Sequence, residues 1–554
     1  MREPLPWRLR REAPAGLKPW QRLAQAWGLP EASARLAWAR GVDEPEDLAW
    51  RLDAGWRRST DPHLLPGVDA AVARLRRAME GGERITVYGD YDVDGVTATS
   101  LLVRVLERLG AQVDFFIPNR FNDGYGLHLD CIRELAETRR PGLLVSVDCG
   151  VQSVAEVAAS RELGLDWIIT DHHALGPELP AACAVVHPLL DGYANPWLSG
   201  VGVAFKLAQA LLGAVPVPSG SDAAFLDGLL KLVAIGTVAD MVPLKGENAL
   251  LVRRGLDALG GANGPGLAAL LRAARVEGRP GGQDIAFGVG PRLNAVGRMG
   301  GAEDAVRLLL CREAAEAERL MARVEALNAE RKAVQRELAQ RLPEPGPEAF
   351  DLVLEEGAHK GVIGIVAGSR MRDSGKPTAV CTVLDGLAHC SLRAPEGFDL
   401  TELLTQARPF LRGGGGHRLA AGMSFDPGRL SFVRRAFEQG AARQAAGAVA
   451  AAMVVDAWGE TAFPGPEALA ALEPWGQGFP VPVAGLEGRL SGPVKAFGEG
   501  HWKWRLDGVA DPLTWFFGAE RSGPLEAEGV LRFAAVPQDQ ARWGRSWLVE
   551  GVLR

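Results

Sequence analysis

The stretch ERITVYGDYDVDGVTATSLLVRVLERLG, residues 83–110, decides the fold. ERITVYG reads as a strand and VTATSLLVRVLERLG as a helix, so the acidic GDYDVDG (89–95) lies at the turn between them. Asp90, Asp92 and Asp94 alternate, and in an extended loop they would project toward one centre. Working outward, LLVSVDCG (143–150) delivers Asp148 after an apolar run. WIITDHH (167–173) delivers Asp171, His172 and His173 after another, and LKLVAIGTVADMVPL (230–244) delivers Asp240. Strand-like runs alternate with helix-like ones from 84 to about 242, the signature of βα units and a parallel sheet. In open parallel sheets, ligands gather beyond the carboxyl ends of the strands. Acidic clusters at several such ends predict one shared divalent-metal site.

Simpler explanations exist for each motif alone. DYDVDG copies the start of a calcium EF-hand loop, with acids at positions 1, 3 and 5 and Gly at 6. That loop needs a bidentate Glu at position 12, where this chain has Leu101, and a strand precedes it. A single Asp after a strand is usually a helix cap, and a His-His pair is more often structural than ligating. Their joint occurrence points to metal.

The chain has 554 residues, enough for three or four domains, and 47% of them are apolar. No stretch reaches the roughly 18 unbroken apolar residues of a membrane span. MREPLPWRLRREAP at the start lacks the apolar core of a signal peptide. The six cysteines (131, 149, 183, 311, 381, 390) show no CxxC spacing and are expected to be reduced, in a cytoplasmic protein. Net charge is −7, which argues against a simple non-specific nucleic-acid binder. Yet residues 403–445 hold seven arginines against Asp426 and Glu438, a local basic surface.

Residues 1–80 look helical. Residues 302–342 hold a helical pattern without Gly or Pro, ending at PEPGP (343–347). About forty residues of helix would span roughly 60 Å, so this segment reads as a stiff connector between two lobes. A second α/β segment follows from about 350 to 445. The tail is β-rich in character, with Gly, Pro and seven tryptophans between 458 and 547.

Ten stretches in order resemble the DHH phosphoesterases, and within them the bacterial RecJ-type single-strand-specific exonucleases. They are VYGDYDVDGVTATSLL (87–102), IPNRFNDGYGL (117–127), LLVSVDCG (143–150), IITDHH (168–173), GTVADMVPL (236–244), GPRLNAVGRM (290–299), GVIGIVAGSR (361–370), EGFDL (396–400), GGGGHRLAAGM (413–423) and PWGQGFP (474–480). The resemblance implies an α/β protein: a parallel-sheet DHH domain joined by a long helix to a smaller α/β DHHA1 domain, plus a β-rich OB-fold domain. The expected boundaries are 1–80 for an N-terminal helical extension, 81–300 for the DHH domain and 301–345 for the connecting helix. The DHHA1 domain would then occupy 346–448 and the OB-fold domain 449–554.

The resemblance also implies a 5′→3′ exonuclease on single-stranded DNA that releases 5′-mononucleotides in recombination and repair, using two divalent cations, Mn²⁺ or Mg²⁺. Hard oxygen ligands with histidine suit those ions. Asp148 is expected to bridge them, Asp94, His172 and Asp240 to complete one site, and Asp90 and Asp92 to hold the other. His173 would act beside them in proton transfer or as a transition-state contact. Asn294 and His359 fall in or beside matching stretches and are expected at the substrate. Arg298, Ser391 and Arg393 are candidates for a terminal 5′-phosphate pocket. Gly414 and Gly415, with His417 and Arg418, would cradle phosphate through backbone N–H groups and side-chain charge. In HWKWR (501–505), Trp502 and Trp504 would share one strand face and stack on bases, with Lys503 and Arg505 opposite. Tyr88 stands where many relatives have His, and Ala358-His359 where Trp-His is common.

Single-strand-binding protein and a RecQ-type helicase are the partners implied, with the chain itself a monomer. No GxxxxGK[ST] phosphate loop is present to drive unwinding. Three competing readings are a DHH phosphodiesterase for short RNA or cyclic dinucleotides, a non-catalytic replication-fork scaffold, and a manganese pyrophosphatase. The first is opposed by length and PWGQGFP, the second by the full set of ligand-type residues.

Overall fold

Five parallel strands build the sheet that carries the acidic turns, in the spatial order Val113–Phe116, Ile85–Gly89, Leu143–Val147, Asp166–Thr170, Ala184–Val186. In this computed structural model the described residues are 6–119, 126–213, 220–447, 452–459, 463–498, 500–516, 529–540 and 544–553. Residues 120–125 of the IPNRFNDGYGL stretch therefore lie outside the description. Ile85–Gly89 and Leu143–Val147 are buried along their whole length. Helices cover both faces, which is why these strands read as continuous apolar runs. One face packs against the helices Val93–Arg108, Gly200–Leu211 and Gly220–Ala239, and the other against a cluster around Tyr88, Ile132 and Trp167.

The helical pattern over 302–342 forms two helices. Glu303–Leu310 ends at Cys311, whose backbone is extended, and Ala314–Arg341 begins afresh. Periodicity continues across this break because both helices bury apolar residues, so the pattern alone does not reveal it. The longer helix spans 28 residues, about 42 Å. It packs on both lobes, through Ala317, Leu320 and Val324 on the first and Leu338 on the second.

The second lobe is a five-stranded mixed sheet, ordered Gly413–Gly416, Ala420–Phe425, Leu387–Arg393, Thr378–Leu384, Asp351–Leu354. Its central hairpin sets Cys381 directly opposite Cys390, and the two form a disulfide. This corrects the expectation of reduced thiols throughout. The hairpin register, set by the Asp385-Gly386 turn, brings together two cysteines that no motif spacing marks.

The N-terminal region is mainly helical but begins with the strand Trp7–Leu9, which pairs in parallel with Met453–Val455. Trp20, Trp38 and Leu48 share a core with Leu472 and Phe479, so the chain's two end regions pack together. The tail forms a seven-stranded sheet containing His501–Trp504. Trp504 is 3% exposed and packs with Trp515 and Phe533. Trp502 is half-buried against the same core. The two tryptophans do share a face, but that face looks inward, so Trp504 is not a base-stacking platform. Alternation locates a common face and does not say which side faces solvent. Trp504→Ala is expected to cost about 3–5 kcal/mol of stability, measured by denaturant unfolding. A variant as stable as the parent but weaker for single strands would restore the stacking role.

Candidate metal centre

The strand order reverses between Ile85–Gly89 and Leu143–Val147, and the residue after each is an aspartate, Asp90 and Asp148. Such a switch point opens a crevice at the carboxyl ends. Asp92 caps the helix Val93–Arg108: its Oδ1 accepts from Asp94 N (2.9 Å) and Gly95 N (3.2 Å). Asp94, one turn in, is 1% exposed. Its two oxygens accept from Gly200 N (2.6 Å) and Val201 N (2.9 Å) at the start of the helix Gly200–Leu211. Asp148 has φ 63°, a left-handed conformation that non-glycine residues hold only where the surroundings impose it.

These side chains converge. Ligand atoms of Asp94, His172 and Asp240 lie within 4.8 Å of one another, as do those of Asp90, Asp92 and Asp148, and those of Asp148, His172 and His173. His172 Nε2 is 3.1 Å from Asp148 Oδ1, 3.6 Å from Asp240 Oδ2 and 3.8 Å from Asp94 Oδ2. That nitrogen atom is itself buried and makes no hydrogen bond. Asp148 thus stands between two ligand groups. Two glycines admit this crowding: a Cβ on Gly200 would sit 2.5 Å from Asp148 Oδ1, and one on Gly236 would sit 2.7 Å from Asp94 Oδ1. Sequence reasoning passed over both, although SGVGV (199–203) and AIGTVAD (234–240) signal close helix packing beside a ligand.

Burial pushes the Asp94 and Asp148 carboxyls well above the usual carboxylate range, and neighbouring acids add to it, Asp240 foremost for Asp94 and Asp94 foremost for Asp148. Burial, then Asp92, pushes Asp240 up to about 7. Burial, then the His173 charge, brings His172 down to about 3, leaving the neutral imidazole that a metal requires. Burial opposes charge on His173, but its bond to Asp171 raises it to about 9. Burial opposes charge on Asp171 too, yet His173 and the Val151 N–H bring it down to about 2. Asp171 is an organiser: it accepts from His173 Nδ1 (2.8 Å), Val151 N (3.0 Å), His172 N (2.7 Å) and His173 N (3.1 Å).

The remaining candidates fall into two groups. Arg298 ends the helix Gly290–Arg298, which also carries half-buried Asn294. Arg298 donates to Gly361 O (3.0 Å) across the two lobes. His359 caps the helix Lys360–Ser374, its Nδ1 accepting from Gly361 N (3.1 Å). Arg393 donates to Ser391 Oγ (3.1 Å), and both lie under Gly364 of that helix. Gly414 and Gly415 lie in an exposed strand at the sheet edge. They were expected in a cradle. Pairing with Ala420–Phe425 extends the run instead, and the turn comes at His417 and Arg418, where His417 N donates to Ala420 O (2.8 Å). Ala420 pairs with Arg393, so this exposed turn stands at the Arg393 end of the sheet.

Comparison with known proteins agrees with this geometry. The model for the DHH family, N-terminal domain, matches residues 84–237, and the DHHA1 domain model matches residues 348–443. The single-stranded-DNA-specific exonuclease RecJ of Bacillus subtilis is 41% identical over 71% of this chain and 50% of its own length. RecJ of Thermus thermophilus is 36% identical over 96% of this chain and 76% of its own. The chain belongs to the RecJ family. It spans half the length of the Bacillus RecJ. The crystal structure of Thermus thermophilus RecJ in complex with Mn²⁺ matches with a TM-score of 0.82 at 31% identity, over 100% of this chain and 80% of that one. The donor set here, all carboxylate oxygen and imidazole nitrogen with one buried unbonded imidazole, fits the same class of ion.

The pKa shifts set a pH dependence for the metal-free RecJ-family chain. Asp240, raised from 3.8 to about 7, and His173, raised from 6.5 to about 9, hold protons more tightly folded than unfolded. Their stabilisation is lost as pH rises through those values. The opposite shift on His172 acts only below 6.5. The metal-free protein is therefore expected to melt at a lower temperature near pH 9 than at pH 6.5, and Mn²⁺ to raise the melting temperature more near pH 9. Equal increments by calorimetry would contradict the site.

Proposed function

We propose that this chain is a metal-dependent 5′→3′ exonuclease that hydrolyses single-stranded DNA to 5′-mononucleotides. The observation that carries the chemistry is the convergence of two ligand groups on Asp148. Two divalent cations held there, Mn²⁺ or Mg²⁺, would lower the pKa of an attacking water and stabilise the leaving oxygen of an in-line displacement. Asp94, His172 and Asp240 would hold one, Asp90 and Asp92 the other, with Asp148 shared. Tyr88 takes no ligand position in this set: it is buried among Phe116 and Trp167. His173 is a third exposed, and its bond through Nδ1 to Asp171 holds the imidazolium that would donate a proton to a phosphoryl or leaving oxygen.

The 5′ end would be held at the junction of the lobes. Arg393, Ser391 and Arg298 offer charge-assisted donors beside the amino end of the helix Lys360–Ser374, where an anion is favoured. Asn294, His359, His417 and Arg418 would flank the strand. Domain boundaries at 80, 300, 345 and 448 are part of the proposal; the first core runs from Trp56 to Val324, across 80 and 300, and the N-terminal region shares a core with Leu472 and Phe479. No helix among the described residues is long and apolar enough to cross a membrane. Cytoplasmic placement, a monomeric state, and single-strand-binding protein and a RecQ-type helicase as partners complete the proposal.

With Mn²⁺ and an oligonucleotide labelled at either end, the 5′ label is expected to appear first, as a mononucleotide. Asp148→Ala should abolish this release, and equal activity would sink the metal assignment. Activity confined to di- or trinucleotides would favour the short-RNA phosphodiesterase. Arg393→Ala is expected to lose on the order of tenfold in the preference for 5′-phosphate over 5′-hydroxyl ends, one charged hydrogen bond being worth about 1.5–3 kcal/mol. An unchanged preference in competition assays would remove Arg393 from the pocket.

A further inference from the structure

Asp240 is the one ligand that does not follow a strand of the parallel sheet. It follows the helix Gly220–Ala239, and the next residue, Met241, has φ 62°. A side chain in that conformation persists only when its surroundings over-determine it. The segment from Met241 to Gly246 then runs to the helix Glu247–Leu259.

Besides a local bond from Asn248 Nδ2 to Pro243 O (3.1 Å), what holds this segment comes from both end regions of the chain. Leu244 N donates to Gln477 O (2.8 Å), in the turn formed by PWGQGFP (474–480). Arg51, 3% exposed, donates to Leu244 O on one side and to Leu472 O (3.2 Å) and Pro474 O (2.7 Å) on the other. Its guanidinium lies 3.5 Å from the ring centre of Phe479. A Cβ on Gly476 would sit 2.6 Å from Leu244 Cδ1, so the turn and the segment touch closely. The turn is itself anchored: Trp475 stacks on Phe479, and Arg40 donates to Pro480 O (3.2 Å).

We propose that the PWGQGFP turn is a strap that positions Asp240 for metal binding, with Arg51 as its latch. The proposal rests on the reading of Asp240 as a ligand. Arg51 satisfies three carbonyls at once, and its loss leaves buried acceptors short of donors. The segment after Asp240 then relaxes, whereas coordination distances are held to about 0.2 Å. The tail thereby contributes to the metal centre as a positioning element, separate from any contact with DNA.

The test is a Mn²⁺ titration of the full chain followed by electron paramagnetic resonance, well below the melting temperature. Arg51→Met is expected to weaken Mn²⁺ binding on the order of tenfold, the size of effect that outer-shell partners carry. KM for an oligonucleotide at saturating Mn²⁺ should be unchanged, and Arg51→Lys should recover part of the affinity. If Arg51→Met does not fold, Gly476→Ala, which presses a methyl group against Leu244, is expected to weaken Mn²⁺ in the same direction. Parental Mn²⁺ affinity in a folded variant, with only a lower melting temperature, would overturn the strap. Parental affinity in Asp240→Ala would instead overturn Asp240 as a ligand.

Discussion

The constraint on which the rest depends is the burial of mutually repelling carboxylates around Asp148. Asp90, Asp92, Asp94, Asp148 and Asp240 crowd one crevice, and Asp94 and Asp148 have almost no contact with water. Burial and mutual repulsion both press them toward the protonated state. A cation lets Asp94 and Asp148 keep their charge at neutral pH, so the site and its metal are one electrostatic unit. A chain that folds around such a cluster gives up stability in the metal-free state to gain affinity when loaded.

The surrounding elements serve that unit. The Gly200–Leu211 helix points its amino end at Asp94 and tolerates Asp148 only because Gly200 lacks a side chain. Asp171 fixes the two histidines through three hydrogen bonds and holds charge on His173, while burial leaves His172 neutral. The linker helix sets the second lobe against the first, and Arg298 ties the junction at Gly361.

Asp90, Asp148 and His172 were legible because each lies just past a strand of the parallel sheet, whose ends meet whatever their loops do; Asp92 and Asp94 share the turn after Gly89, and Asp240 follows the apolar end of a helix. The break at Cys311 was not, since helical periodicity is the same on either side of a local turn. The inward face of Trp504 was not, because alternation marks two faces without ranking them. The extended form of the glycine run was not legible for a related reason: four glycines permit many conformations, and only pairing with Ala420–Phe425 selects the extended one. The Cys381–Cys390 pair needed the hairpin register, which no cysteine motif spacing marks.

By itself the sequence determined the α/β class and the parallel sheet, and it singled out the acids and histidines that the fold brings together, because local periodicity and side-chain chemistry mark the ends of elements. Tertiary structure alone decided how His172 and His173 come to differ in charge beside Asp171, and what holds Asp240 in place. Those depend on distances between segments far apart in the chain. Arg51, Leu244 and Pro474 carry no mark of their meeting until the two ends of the molecule pack together beneath the metal centre.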